Sequence, residues 1–551
     1  MDKRLGIALA VSMAILFAWW KIFPPPQNQP HPPPAQQEAA APAAATGQPG
    51  PASAAATPTD AKAAPASSAE QSVTLVTPEA DFTLSSWGGT VREVKVKEKK
   101  FNGLQIVSTH TPETAPFLTT FASTDFSLAG TTPYTVSNQA ADGVTFTAES
   151  GGVVVEKRYT VEPGRFRLRL DVQVSNQREK PITESLVVHL FGRQDPAKKG
   201  GSFLSYASAN LAEMVCNVNE AAERNNIDTL NKGDKSFNGT IRWIAADEKF
   251  FTVAAVPHPD TLGGAQKCLQ RALDGLGGEV LIPFTARTVA PGQKTSYAFT
   301  VFGGPKYHDA LEAVQPGGQD AHLVAVVNSS YRIIAFLSGP LLALLKFFQR
   351  FTHNWGFAII LLTLFVRMLT FYPQQRTMMS AKKMQKLAPK LAALRKKYEN
   401  DRQRVGVETM ALYKAHGVSP LGGCLPALIQ MPIWMALFST LNTAVELHRS
   451  GFIFYIHDLS APDPYYATPL MMGVVMFLQM RMSPAGADPQ QQKMMSIMMP
   501  IMFTVFSLFL PAGLAIYTLT SYLIGILQQL LVNYMDKRRE LALAGPAKSK
   551  G

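Results

Sequence analysis

Only three cysteines occur in 551 residues, Cys216, Cys268 and Cys424. That excludes a disulfide-dense small scaffold. No HExxH, P-loop or dinucleotide fingerprint is present, and no pair of Asp residues lies within a hydrophobic run. The cysteines lie far apart with no His cluster beside them, a poor ligand set for a metal. The sequence therefore predicts no enzyme, no metal and no cofactor. Charge is also scarce: 17% of residues are charged, against about 25% in soluble domains. What charge there is sums to +12. Such an excess suits nucleic acid, an anionic membrane, or loops retained on one side of a membrane, and its location decides between them.

Leu5 to Phe23 is a predominantly apolar run of 19 residues after Lys3 and Arg4, ending in Trp19, Trp20, Ile22 and Phe23 before three prolines. It is longer than a signal-peptide core and lacks a small-residue cleavage site, so it reads as an uncleaved anchor with a cytoplasmic N-terminus. Residues 24–71 are almost entirely Pro, Ala, Gln, Ser, Thr and Gly, a tether unable to build a core. From 72 to 320, short β-type runs alternate with turn signals. They include Val73–Val76, Val91–Val96, Val153–Tyr159, Phe166–Val174, Leu186–Phe191, Phe250–Val256 and Ser296–Phe302. This spacing predicts a large antiparallel sandwich across the membrane from the N-terminus. Cys216 and Cys268 fall in it, either paired or as two buried thiols.

Hydrophobic blocks follow at 353–372, 421–445, 465–483, 494–510 and 511–533. With the anchor they predict six spans. The segment 321–352 reads instead as an amphipathic helix in the outer interface. Counting it as a span would send the loop 373–420 outward, and that loop carries eleven Lys and Arg against three acids. The remaining segments are loops at 446–464 and 484–493 and a basic tail at 534–551. Both termini are then cytoplasmic, and most of the positive charge is a topology signal. No nucleic-acid substrate is expected.

Arg367 is the one charge in 355–372, 12 residues after Trp355 and six before Pro373. At 1.5 Å per residue it sits in the inner leaflet, about 9 Å short of that proline. A charge there costs about 2.5–3.5 kcal/mol or more, so it faces protein or water, or snorkels to the interface. Gln430, Asn442, Thr504, Ser507, Tyr517, Thr518, Thr520, Ser521, Gln528 and Gln529 place polar groups in neighbouring spans. A shared hydrated cavity accounts for the set, and polar helix–helix bonds account for each singly. In loop 373–420, Met384, Leu387, Leu391, Leu394 and Tyr398 recur at 3-4-3-4 spacing, predicting a helical hairpin kinked at Pro389. Met471, Met472, Met476, Met480 and Met482, with Met494, Met495, Met498 and Met499, crowd two spans; lipid-facing packing and an adaptable client surface both use methionine.

Several stretches, in this order, carry a resemblance: Asn354-Trp355-Gly356-Phe357 leading to Arg367; Leu421-Gly422-Gly423-Cys424-Leu425-Pro426 to Gln430-Met431-Pro432; Ile456-His457-Asp458-Leu459-Ser460 to Asp463-Pro464-Tyr465-Tyr466; and Pro511-Ala512-Gly513-Leu514 with Tyr517. Over essentially its whole length the sequence resembles the YidC membrane-protein insertases of Gram-negative inner membranes, relatives of the mitochondrial Oxa and chloroplast Alb insertases. The resemblance implies a polytopic α-helical protein with a five-helix core and a large periplasmic β-supersandwich. It implies insertion and folding of membrane proteins through a hydrophilic groove open to cytoplasm and lipid, alone or with the SecYEG translocon. Arg367, Thr363, Gln430, Tyr517 and Thr518 are then the groove residues; Thr518 replaces a second Tyr found in some members. Lys382, Lys383, Lys386, Arg395, Lys396 and Lys397 would dock a ribosome, with help from the basic tail. Nascent membrane proteins and membrane lipids complete the partners. Two other readings compete: a secondary transporter with a midplane Arg site, and a tethered, mutarotase-like sugar-binding sandwich. No internal repeat supports the first, and the second leaves the helical region unused.

Overall fold

A computed structural model describes residues 70–543 except 102, 109–110, 123–124, 196–211, 328–331, 399–400, 418–424 and 483–488. The expected anchor at 1–23, the linker up to 69, Leu421–Cys424 and the tail beyond 543 lie outside the described residues.

Each of the seven β-type runs is a strand. Nine strands form one antiparallel sheet, in the order Ala221–Asn226, Glu213–Val218, Ile241–Asp247, Phe251–Pro257, Lys294–Pro305, Arg167–Asn176, Val153–Val161, Gly143–Ser150 and Thr135–Gln139. A five-stranded sheet packs on one part of it: Lys235–Asn238, Lys267–Ala272, Gly277–Pro283, Leu186–Arg193 and Leu118–Phe121. A four-stranded meander covering Ser72–Ser108 packs beside them. Alternation along Arg167–Asn176 puts Leu168, Leu170, Val172 and Val174 inward, all fully buried. Trp243, Tyr159 and Tyr297 are the largest side chains in the resulting core. Cys216 and Cys268 are joined by a disulfide, Cα–Cα 6.5 Å, which ties the nine-stranded sheet to the five-stranded one.

Both expected boundaries of the sandwich shift outward. Glu70 pairs with Arg92 and accepts from Ser85 Oγ at 2.7 Å, and Gln71 N donates to Ser86 Oγ at 2.9 Å. At the far end, Leu323 and Val326 are fully buried in the sandwich core, so the domain does not stop at 320. Composition marks where apolar residues become frequent, whereas burial marks where the core takes them up.

Among the described residues eight helices follow: α1 Arg332–Thr352, α2 Trp355–Lys386, α3 Ala388–Lys397, α4 Arg402–Ala415, α5 Leu425–Thr443, α6 Ala467–Met482, α7 Pro489–Ser507 and α8 Ala512–Leu543. Among the described residues, Trp355–Lys386 and Ala512–Met535 are long and apolar enough to cross a membrane, and Ala467–Met482 and Ser496–Ser507 are shorter apolar helices. Length and composition thus sustain two of the six expected spans.

Two proline readings change. Pro373 does not end α2, which continues 13 residues beyond it. Pro389 does not kink one arm; the helix stops at Leu387 and Pro389 opens α3 within its first turn, where a missing N–H is harmless. The seam expected over five residues therefore runs across a break. Leu387 and Leu391 are buried with Tyr413, and Met384 packs beside them.

Candidate functional site

The N-terminus of α2 is set by Asn354, whose Oδ1 accepts from Gly356 N at 2.8 Å and Phe357 N at 3.3 Å. Its Nδ2 donates to Phe452 O at 2.9 Å, tying the helix to the loop after α5. Gly356 lies flat against the Phe452 ring; a Cβ there would come within 1.9 Å of it. Helical spacing then carries Arg367 toward α5 and α8.

Arg367 Nε donates to Ser521 Oγ at 3.1 Å and Nη1 to Gln374 Oε1 at 3.0 Å. Gln374 Nε2 donates to Gln430 Oε1 at 3.4 Å, and Gln430 Nε2 to the Tyr517 hydroxyl at 3.0 Å. A chain of side-chain bonds thus crosses α2, α5 and α8. No carboxylate pairs with Arg367 among the described residues. Its described partners, Ser521 and Gln374, are both neutral.

Sequence reasoning placed Arg367, Gln430, Tyr517 and Ser521 in this neighbourhood and missed Gln374. The missed residue lies just past Pro373, outside the span as drawn. Because α2 continues, position 374 is two turns beyond 367 on the same face. Two candidates are turned elsewhere. Thr363 is fully buried and donates to Ile359 O at 2.7 Å, and Thr518 donates to Leu514 O at 2.8 Å. Thr504 and Ser507 likewise bond within their own helix, to Pro500 O and Thr504 O. Gln528 and Gln529 are buried further along α8. Lys382, Lys383 and Lys386 lie at the end of α2, and Arg395, Lys396 and Lys397 at the end of α3.

The opposite end of the bundle is closed by the loop 444–466. Asp463 accepts from Tyr465 N, Thr468 N, Thr468 Oγ1 and the Tyr455 hydroxyl, which starts α6 two residues later than hydropathy alone suggests. Burial raises its pKa, but those bonds outweigh it and hold the carboxyl below its ordinary value. Ala512 N and Gly513 N donate to Ala461 O at 2.7 Å and Leu459 O at 2.9 Å, so the loop caps α8. The motifs 456–466 and 511–514 are thus two halves of one hydrogen-bonded junction.

The sandwich rests on the same loop. Lys100 Nζ donates to Val445 O at 2.9 Å and Arg449 Nη1 to Phe101 O at 2.8 Å. His448 stacks on Phe250 with ring centroids 4.3 Å apart. Burial pushes the His448 imidazole down to about 4, with Arg449, Lys100 and Lys249 acting in the same direction and Asp458 opposing them. Elsewhere in the sandwich, a cleft of about 920 Å³ contains His189, whose Nδ1 is 2.5 Å from Glu279 Oε1 and whose Nε2 is 2.8 Å from Thr120 Oγ1.

Apolar helices bearing a buried polar chain, capped by a loop on which a large β-sandwich sits, define an integral membrane protein with one soluble domain. The family described as 60Kd inner membrane protein matches residues 347–539, and the YidC periplasmic domain matches 72–344. Membrane protein insertase YidC of Anaeromyxobacter sp. (strain Fw109-5) is 35% identical over 506 residues, 88% of each chain. That of Syntrophus aciditrophicus (strain SB) is 31% identical over 565 residues, 97% of this chain and 99% of the other. A crystal structure of an active YidC insertase with its first transmembrane domain resolved is 20% identical, covering 84% of this chain and 92% of that one at a TM-score of 0.35. The chain belongs to the YidC family of membrane protein insertases, a non-enzymatic family of the inner membrane with a periplasmic domain.

Proposed function

We propose that this insertase works through the polar chain between α2, α5 and α8, used as a wet path open to the cytoplasm and to lipid. The observation that carries the reading is Arg367, a guanidinium in an apolar helix with Ser521 and Gln374 as neutral partners and no carboxylate among the described residues. Such a charge attracts acidic groups of a client segment entering from the cytoplasm. Gln374, Gln430 and Tyr517 offer exchangeable bonds to its backbone and polar side chains. The 16 residues of α6 rise only about 24 Å, short of the roughly 30 Å hydrocarbon layer. A short helix beside a hydrated path reduces the dry distance a polar segment crosses. The apolar part of the client then leaves sideways into lipid, driven by its own burial.

In this reading both termini are cytoplasmic, α1 lies in the outer interface, and the junction at 444–466 seals the periplasmic end. The basic hairpin of α3 and α4 and the tail receive ribosomes, and the SecYEG translocon shares clients. The family resemblance supports these partners. Photocrosslinking from position 430 or 521 to a stalled nascent membrane protein tests the path. Crosslinks from there, and none from the lipid face of α2 at Leu369 before release, are the expected outcome. The reverse pattern would reject it.

A further inference from the structure

α2 contains 32 residues and rises about 48 Å, well beyond the hydrocarbon layer. Where it emerges, a cavity of about 370 Å³ is lined by Tyr372, Gln375, Arg376, Met379, Ser380 and Lys383, with Gly417 closing it from the end of α4. Positions 372, 376, 379 and 383 share one helix face. If the first 20 residues of α2 fill the hydrocarbon, Arg376 to Lys383 lie about 3–13 Å past its edge, the depth of lipid phosphates.

The same face runs back into the membrane as an exposed apolar track: Phe365 is 46% exposed, Met368 66%, Leu369 74% and Tyr372 60%. Arg376 lies over the Tyr372 ring, 4.5 Å from its centroid, at the point where apolar track meets charge. Neither Arg376 nor Lys383 has a carboxylate partner among the described residues, and none lines the cavity. Two cations and a hydroxyl facing a headgroup-deep cavity suit a phosphodiester. The apolar track leading from it suits the attached acyl chains.

We propose that this cavity binds the headgroup of one anionic phospholipid, with Arg376 and Lys383 holding the phosphate, Ser380 donating to it, and the acyl chains lying along Tyr372, Leu369, Met368 and Phe365. The apolar track favours a lipid over free phosphate, which would use only the polar half. The inference is independent of the insertion path, because it concerns the lipid-facing side of α2 and not the face that carries Gln374.

The full-length protein, purified in detergent, is titrated with phosphatidylglycerol, phosphatidylethanolamine or inorganic phosphate, and bound species are counted by native mass spectrometry. One phosphatidylglycerol is retained in preference to phosphatidylethanolamine. Arg376→Gln with Lys383→Gln weakens its retention about thirtyfold, the effect of removing two basic contacts at a lipid surface. Arg376→Lys with Lys383→Arg keeps it, and the remote pair Lys397→Gln with Arg404→Gln, both beside Tyr398, leaves it unchanged. Equal retention of the two lipids by the wild type overturns the proposal, and that comparison stands even if a variant fails to fold. An equal loss in the remote pair overturns it too, by reducing the effect to net charge. Displacement of the lipid by phosphate at matching concentration would make it a free-anion site instead.

Discussion

Arg367 Nη1 donates to Gln374 Oε1 at 3.0 Å across a stretch of helix that contains Pro373. The proline removes one backbone donor without ending the helix, so the cation keeps a neutral partner two turns further along α2.

This arrangement predicts a graded series. Arg367→Ala removes the charge and should slow insertion of clients with acidic translocated segments by about ten- to a hundredfold, the range of one charged hydrogen-bonding group. Arg367→Lys should retain most of the rate, and Gln374→Leu should lose less than the alanine variant. Rates of protease protection in proteoliposomes check the order. Equal insertion by wild type and Arg367→Ala would remove the electrostatic role.

Lys346 Nζ is 2.7 Å from Glu446 Oε1, joining α1 to the loop after α5. Glu446 is buried and Lys346 about one-third exposed, so breaking the pair should cost about 1–2 kcal/mol, less than a fully buried pair. Glu446→Gln should lower the melting temperature in detergent. The double reversal Lys346→Glu with Glu446→Lys should recover part of the loss.

His448 is held neutral against Phe250, its pKa depressed to about 4 from an ordinary 6.5. The unfolded chain binds more protons between those values, so the stability contributed is complete above pH 6.5 and is lost as pH falls toward 4. Allowing for its partial exposure, the loss should be about 1–2 kcal/mol. His448→Phe should flatten that part of the stability profile, as read by chemical denaturation at several pH values.

The Cys216–Cys268 bridge spans 52 residues and links two sheets. Loop-closure entropy puts its contribution at up to about 4 kcal/mol. Neither thiol should react with maleimide until a reductant is added, and reduction should lower the melting temperature of the periplasmic domain. In a Cys424→Ser background, a reactive thiol in the untreated protein would contradict the pairing.

Much of the fold is legible because its signals are local. The alternation in Arg167–Asn176 and the apolar run around Arg367 follow from side-chain period and transfer energy, which act residue by residue. Gln374 was hidden because a proline is ambiguous in sequence: its consequence depends on whether neighbouring helices re-satisfy the freed carbonyl. Thr363 shows the converse. Its spacing from Arg367 suits the site, yet its hydroxyl is spent on Ile359 O in the helix core.

The sequence alone determined the segregation of charge, the apolar lengths and the β-type periodicity, since each is a sum over neighbours in the chain. Tertiary structure decided which polar residues meet. Ser521 and Gln374 bond Arg367 directly, and Gln430 and Tyr517 extend the chain from Gln374, so that three helices contribute to it. It also decided that Leu459 and Ala461 cap α8 and that Cys216 pairs with Cys268. Those are contacts between residues tens of positions apart, chosen by how whole faces pack.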